Sequence, residues 1–294
     1  MNKSVFTGAG VALVTPMKNN LVDYDALEKL IEFQIENLTD AIVVCGTTGE
    51  APTLEDNEHL DVIEFCVQKV NKRIPVIAGT GSNNTAHAIM MNKEAEKRGA
   101  DGLLWVSPYY NKATQNGLVE HYTELAKSTS LPAILYNVPS RTGVNILPET
   151  IEKLADIENI VAVKEASGKV EQAVEIIKRC GDKIDVYSGN DDITVPIMSI
   201  GGKGVISVLS NILPKETHLM CKYALEGDFK TAGNMQVKYY DLINLLFKEV
   251  NPIPVKAALN LMGIIEKDIR LPLVPMSENN LNLLKEEMKK VGIL

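Results

Sequence analysis

Eight short apolar runs recur at near-regular intervals through the first two-thirds of the chain, and they limit its fold more than any other feature. They are GVALVTP (10–16), AIVVCG (41–46), PVIAGTG (75–81), GLLWVSP (102–108), PAILYNVP (132–139), IVAVKEAS (160–167), DVYSGN (185–190) and GVISV (204–208). Most are continuously apolar rather than alternating, as expected of strands covered on both faces of a parallel sheet. Amphipathic helical patterns lie between them, over 23–38, 54–70, 84–98, 115–128, 148–155 and 169–179. Asp23 is placed to cap the first of these, whose apolar face is Leu27, Leu30, Ile31 and Ile35. Gly99 and Gly181 stand where helices should stop. Strand and helix in this alternation predict an α/β chain folded as a (β/α)8 TIM barrel. A doubly wound open sheet is the rival, but it needs fewer such runs and usually a glycine-rich first turn.

Beyond residue 208 the pattern becomes helical only, at 215–225, 229–250, 254–262 and 278–291. The first of these segments closes the barrel and the others form a C-terminal helical appendage. We therefore read residues 1–226 as the catalytic barrel and 227–294 as a C-terminal helical domain, joined at Glu226-Gly227-Asp228. A chain of 294 residues is near the upper end of what one hydrophobic core supports.

Several function classes are disfavoured. A net charge of −8 argues against nucleic acid or an anionic membrane surface as a partner. It leaves room for an acidic small substrate, because one nearby arginine outweighs the global charge at close range. Cys45, Cys66, Cys180 and Cys221 make no C-x-x-C pair, and His59, His87, His121 and His218 are scattered over helical stretches. Neither a metal site nor a disulfide framework is expected, and the histidines read as surface or packing residues. No organic cofactor is expected either. GAGVAL (8–13) lacks a third glycine and a following helix, and GGKG (201–204) lacks the P-loop frame. The N-terminus carries no apolar signal region and no run reaches ~18 apolar residues, so a cytoplasmic location without membrane contact is the expectation.

Active sites of such barrels lie at the C-terminal ends of the strands. Lys164 ends the apolar run of the sixth strand. An amine there is stripped of part of its hydration, which favours the uncharged form that attacks a carbonyl to give a Schiff base. A lone lysine in a strand is more often a surface residue, so the neighbouring strand ends decide. Tyr136 on the fifth strand is a candidate general acid/base. The Thr47 hydroxyl can pass protons between two tyrosines, with Tyr110 as the second. GTTG (46–49) offers backbone N–H groups and hydroxyls to a carboxylate, and Arg141 offers a bidentate fork to another. Each alone has an ordinary explanation: Tyr136 as a core tyrosine, Thr47 and Thr48 as caps, Arg141 as a surface ion pair. Collected at one end of one barrel they make a chemical set.

GTTGE (46–50), SPYYNK (107–112), YNVPSRTG (136–143) and VAVKEASG (161–168) resemble the dihydrodipicolinate synthase family, within the pyruvate-dependent class I aldolases. The resemblance runs in register over essentially the whole chain. It implies condensation of pyruvate with aspartate semialdehyde, giving 4-hydroxy-tetrahydrodipicolinate in the diaminopimelate/lysine pathway. It further implies that Lys164 forms the Schiff base and that Thr47, Tyr136 and Tyr110 form a proton relay, Tyr110 reaching in from a neighbouring subunit of a homotetramer. Thr48 and the backbone of Ile206 hold pyruvate, Arg141 receives the semialdehyde, and Gly189 lies near the same pocket. Two rivals stay open: a lyase for a sugar acid such as N-acetylneuraminate, which Arg141 disfavours, and a non-catalytic binding protein on the same barrel, which the intact residue set disfavours.

In lysine-inhibited relatives of this kind a regulatory pocket uses a glutamate, two histidines, an asparagine and the first of the tandem tyrosines. Asn83, Tyr109 and His59 match that pattern, with Ala51 beside them, but the glutamate position holds His87 and the other histidine position holds Asp56. Weak or absent inhibition by lysine is the expectation.

Overall fold

The computed structural model of the protein describes residues 4–294. Eight parallel strands close into a barrel: β1 (Gly8–Ala12), β2 (Ala41–Val44), β3 (Val76–Gly79), β4 (Gly102–Val106), β5 (Ala133–Asn137), β6 (Ile160–Glu165), β7 (Asp185–Ser188) and β8 (Gly204–Ser207). Each pairs with its neighbours in sequence, and β8 closes on β1 with Ile206 opposite Gly10. Gly204 is required at that seam, because a Cβ there would sit 1.8 Å from the Gly8 carbonyl oxygen.

The intervening helices are α1 (Tyr24–Glu36), α2 (Asp56–Val70), α3 (Thr85–Lys97), α4 (Gln115–Lys127), α5 (Pro148–Leu154), α6 (Val170–Cys180), α7 (Thr194–Ser199) and α8 (Pro214–Leu225). Asp23 caps α1 as anticipated, its side chain accepting from the Ala26 N–H at 3.0 Å. Past Arg98, which caps α3, Gly99 takes the left-handed conformation, with φ of +86°.

Three apolar clusters follow from this layering, the smallest of them (Ala9, Val195, Met198, Val205, Met220 and Cys221) between β1, β8, α7 and α8. Ile77, Leu104, Ile134, Ala162, Tyr187 and Ile206 fill the barrel interior, where the Tyr187 ring stacks on Phe6 at 4.5 Å. The outward-facing strand residues pack against α1–α6 in the second. That second cluster continues without a break into Leu242, Val255, Leu259 and Leu284 of the C-terminal helices. These are α9 (Phe229–Lys238), α10 (Tyr240–Leu245), α11 (Ile253–Leu261) and α12 (Glu278–Val291). Among the described residues no helix is long and apolar enough to cross a membrane.

Some elements differ from the sequence expectation. Most strands stop short of the apolar runs because the chain turns early; Cys45, directly after β2, already has φ of +53°. β6 instead runs on through Lys164 to Glu165. The helical pattern over 229–250 divides into α9 and α10 at Tyr239. Helix α7 has only six residues and carries Pro196 in its first turn, where a missing N–H costs little. Its shortness hid it from periodicity. A small hairpin, Met17–Lys18 with Leu21–Val22, turns through Asn19 and Asn20, both with positive φ.

Candidate active site

The pairing of β5 with β6 sets the centre of the site. The register runs Ala133 to Ile160 and then Ile134 to Ala162, so Val161 is skipped. That irregularity re-aims the strand. Leu135 and Val163 then join the outer cluster, while Tyr136 and Lys164 come side by side on the inner face. Lys164 is only 6% exposed, and its Nζ lies 4.2 Å from the centroid of the Tyr136 ring. Among the described residues Lys164 takes part in no salt bridge, so no carboxylate ties up the amine.

The next residues along both strands face outward and lock the strand ends. Glu165 is buried, and its Oε2 accepts from Asn137 Nδ2 and Gln172 Nε2, each at 2.9 Å. Its Oε1 accepts from the Ser167 N–H at 2.7 Å. Asn137 also donates to Asn145 Oδ1 at 2.8 Å. The buried carboxylate thus has its acceptor sites filled by amide donors. Gly189, just past β7, packs on Lys164 from the other side: a Cβ there would lie 3.1 Å from Lys164 Cε and 2.6 Å from Ala166 Cβ.

A cavity of about 420 Å³ opens at this end of the barrel. Thr47, Tyr136 and Arg141 line it together with Ala51, Asp56, His59, His87 and Tyr109. Lys164 does not line it but packs on the ring of Tyr136, which does. Thr47 is half-buried, and among the described residues its hydroxyl has no hydrogen-bond partner. Thr48 is buried and accepts from Asn251 Nδ2 at 3.0 Å. Arg141, in a one-turn helix (Pro139–Thr142), forms no salt bridge among the described residues; its Nη2 donates to the Asn251 carbonyl at 3.2 Å. The surface ion pair considered for it is not there.

Tyr110 is the candidate that this chain does not bring to the others. It is 92% exposed and held in the left-handed region with φ of +70°. Ile206 is buried in β8. Just beyond it, Asp191 Oδ2 accepts from the N–H groups of Val208 and Leu209 at 2.9 and 3.1 Å. Burial pushes the Asp191 carboxyl above its ordinary range, opposed by these hydrogen bonds, and among the described residues its buried Oδ1 has no partner.

Also in the cavity lining, His87 Nε2 meets Asp56 Oδ1 at 2.9 Å. His59 Nε2 lies 2.8 Å from the Gly79 carbonyl oxygen, and burial holds its imidazole below the ordinary range. Asn83 donates to the Tyr109 carbonyl at 3.1 Å. Among the described residues no group of His, Cys, Asp or Glu has the arrangement of a metal site.

Sequence reasoning missed Asn251, Asp191 and the buried ion pair of Lys256 with Glu50. GTTGE contained Glu50, but nothing local pointed to a partner more than two hundred residues away.

Residues 5–291 match the family model described as the dihydrodipicolinate synthetase family. The chain is 54% identical to the 4-hydroxy-tetrahydrodipicolinate synthase of Acetivibrio thermocellus, over 100% of both chains. Among solved structures it is similar to dihydrodipicolinate synthase from Aquifex aeolicus, with a TM-score of 0.97, 50% identity, and 98% and 99% of the two chains covered. It is equally similar in fold to the chloride-inhibited dihydrodipicolinate synthase from Acinetobacter baumannii complexed with pyruvate, with a TM-score of 0.97, 47% identity, and 98% and 99% covered.

Proposed function

The chain belongs to the dihydrodipicolinate synthetase family, and on that premise we propose how its site carries out the reaction. The protein is a lyase that condenses pyruvate with L-aspartate 4-semialdehyde to 4-hydroxy-tetrahydrodipicolinate, in the diaminopimelate route to lysine. Lys164 Nζ adds to C2 of pyruvate, and the carbinolamine loses water to give an imine. Loss of a proton from C3 gives the enamine, whose C3 forms a bond to the aldehyde carbon of the semialdehyde. The amino group of that substrate then attacks C2, closing the ring and releasing Lys164 as a free amine. Two substrates thus give one product and one water.

Tyr136 serves as the general acid/base at carbinolamine and enamine, being the ionisable side chain packed on the amine. Thr47 relays the proton, and its unpartnered hydroxyl is filled by Tyr110 from an adjoining copy. The exposure and left-handed backbone of Tyr110, which hold it away from its own barrel, support that role. Thr48 and the backbone of Ile206 hold the pyruvate carboxylate, Gly189 leaves room beside the reacting carbon, and Arg141 receives the carboxylate of the semialdehyde. We extend the reading to a cytoplasmic homotetramer, a dimer of dimers, with the catalytic barrel ending at residue 226 and the helical domain spanning 227–294.

The observation that carries this proposal is the packing of Lys164 Nζ on the Tyr136 ring at the C-terminal end of the barrel. A coupled assay with both substrates tests it. Turnover that needs pyruvate and the semialdehyde together is expected; turnover of a sugar acid instead would contradict it.

A further inference from the structure

Between Thr48 and Arg141 stands a residue from the far end of the chain. Asn251, in the turn before α11, is 5% exposed. Its Nδ2 donates to Thr48 Oγ1 at 3.0 Å, and its backbone carbonyl accepts from Arg141 Nη2 at 3.2 Å. Among the described residues its buried Oδ1 has no hydrogen-bond partner, so the amide is held here for its donor end.

A threonine hydroxyl has one proton to give and two lone pairs to fill. Because Thr48 Oγ1 accepts from Asn251, its own proton must point elsewhere, and among the described residues it meets no acceptor. The hydroxyl is thereby presented as a donor, which suits an anionic ligand. The turn carrying Asn251 is itself fixed. Five residues on, Lys256 makes a buried ion pair with Glu50, two residues beyond Thr48, and Glu50 Oε2 also accepts from the Arg270 N–H at 3.1 Å. The segment bearing Asn251 and the loop bearing Thr48 are therefore joined twice, and neither slides against the other.

We propose that the Asn251 side chain is a positioning residue for the pyruvate carboxylate, acting by setting the direction in which the Thr48 hydroxyl donates. The inference rests on the reading that Thr48 holds that carboxylate. The contact of Asn251 with Arg141 uses the backbone, so its side chain bears on the pyruvate arm through Thr48.

Asn251→Ala, Asn251→Asp, Thr48→Val and the double variant Asn251→Ala/Thr48→Val test this. Aspartate is isosteric and keeps the packing, but it only accepts, so it captures the Thr48 proton. Asn251→Ala should raise the KM for pyruvate about tenfold, the size of one hydrogen bond to a charged group, with kcat and the KM for the semialdehyde within about threefold of wild type. Asn251→Asp should raise the pyruvate KM further. In the Thr48→Val background, Asn251→Ala should add nothing, because its only route of action is gone. An unchanged pyruvate KM in Asn251→Asp, or additive effects in the double variant, would overturn the inference. Borohydride trapping of pyruvate on the wild type separates the two levels. If it failed, the reading of the site would fall; if it succeeded beside a flat KM series, only the role of Asn251 would.

Discussion

Along β5 and β6, alternation assigns adjacent residues to opposite sides of the barrel wall, and the site depends on that division. Tyr136 and Lys164 face inward while Asn137 and Glu165 face outward into a hydrogen-bonded lock. Lys164 and Tyr136 were legible in the sequence because each sits at the end of a local apolar run, and strand ends are where a barrel collects chemistry. Arg141 was legible as a residue type in a loop. Its hold on the Asn251 carbonyl was not, since that contact spans 110 positions. Arg141→Ala should cut use of aspartate semialdehyde by ~1.5–3 kcal/mol in transition-state binding, while pyruvate still forms its imine. Steady-state kinetics with each substrate varied, alongside borohydride trapping, check this. Loss of trapping with an unchanged semialdehyde response would show that Arg141 serves the other substrate.

At the scale of elements, the loop between β2 and α2 is held from outside the barrel. Lys256 on α11 is buried against Glu50, whose backbone is left-handed with φ of +56°. Burial pulls the Lys256 ammonium below its ordinary range, opposed by the Glu50 carboxylate. Taking one partner away leaves a buried charge unmatched. Lys256→Met should therefore destabilise the fold by ~3–5 kcal/mol, and adding Glu50→Gln should recover most of that loss. Urea melts of the two variants check it, and equal destabilisation in both would show that the pair is not coupled. Long helices were readable because periodicity over ten or more residues is a strong signal, and the barrel strands because eight apolar runs recur between them. Helix α7, too short for a period, was not, and the Lys256–Glu50 pair left no mark in either segment alone.

At the scale of the whole molecule, one cavity joins Thr47, Tyr136 and Arg141 to Asp56, His59, His87 and Tyr109. The two residues that depart from the lysine-responsive pattern, Asp56 and His87, contact each other, so one carboxylate oxygen of Asp56 is already occupied. A free carboxylate to receive an α-ammonium is what that leaves short. Initial rates against lysine, with pyruvate near half-saturation, should stay within about twofold up to millimolar lysine, whereas a lost charge-assisted contact costs roughly tenfold or more in affinity. Strong submillimolar inhibition would show that Asp56 replaces the missing glutamate. Intact-mass analysis after borohydride reduction with pyruvate tests most directly whether the barrel presents one reactive amine. One pyruvate-derived adduct per chain is expected, mapped by peptide digestion to Lys164 and absent from Lys164→Arg, whose guanidinium does not deprotonate near neutral pH. An adduct on any other lysine, or an undiminished adduct on Lys164→Arg, would contradict it.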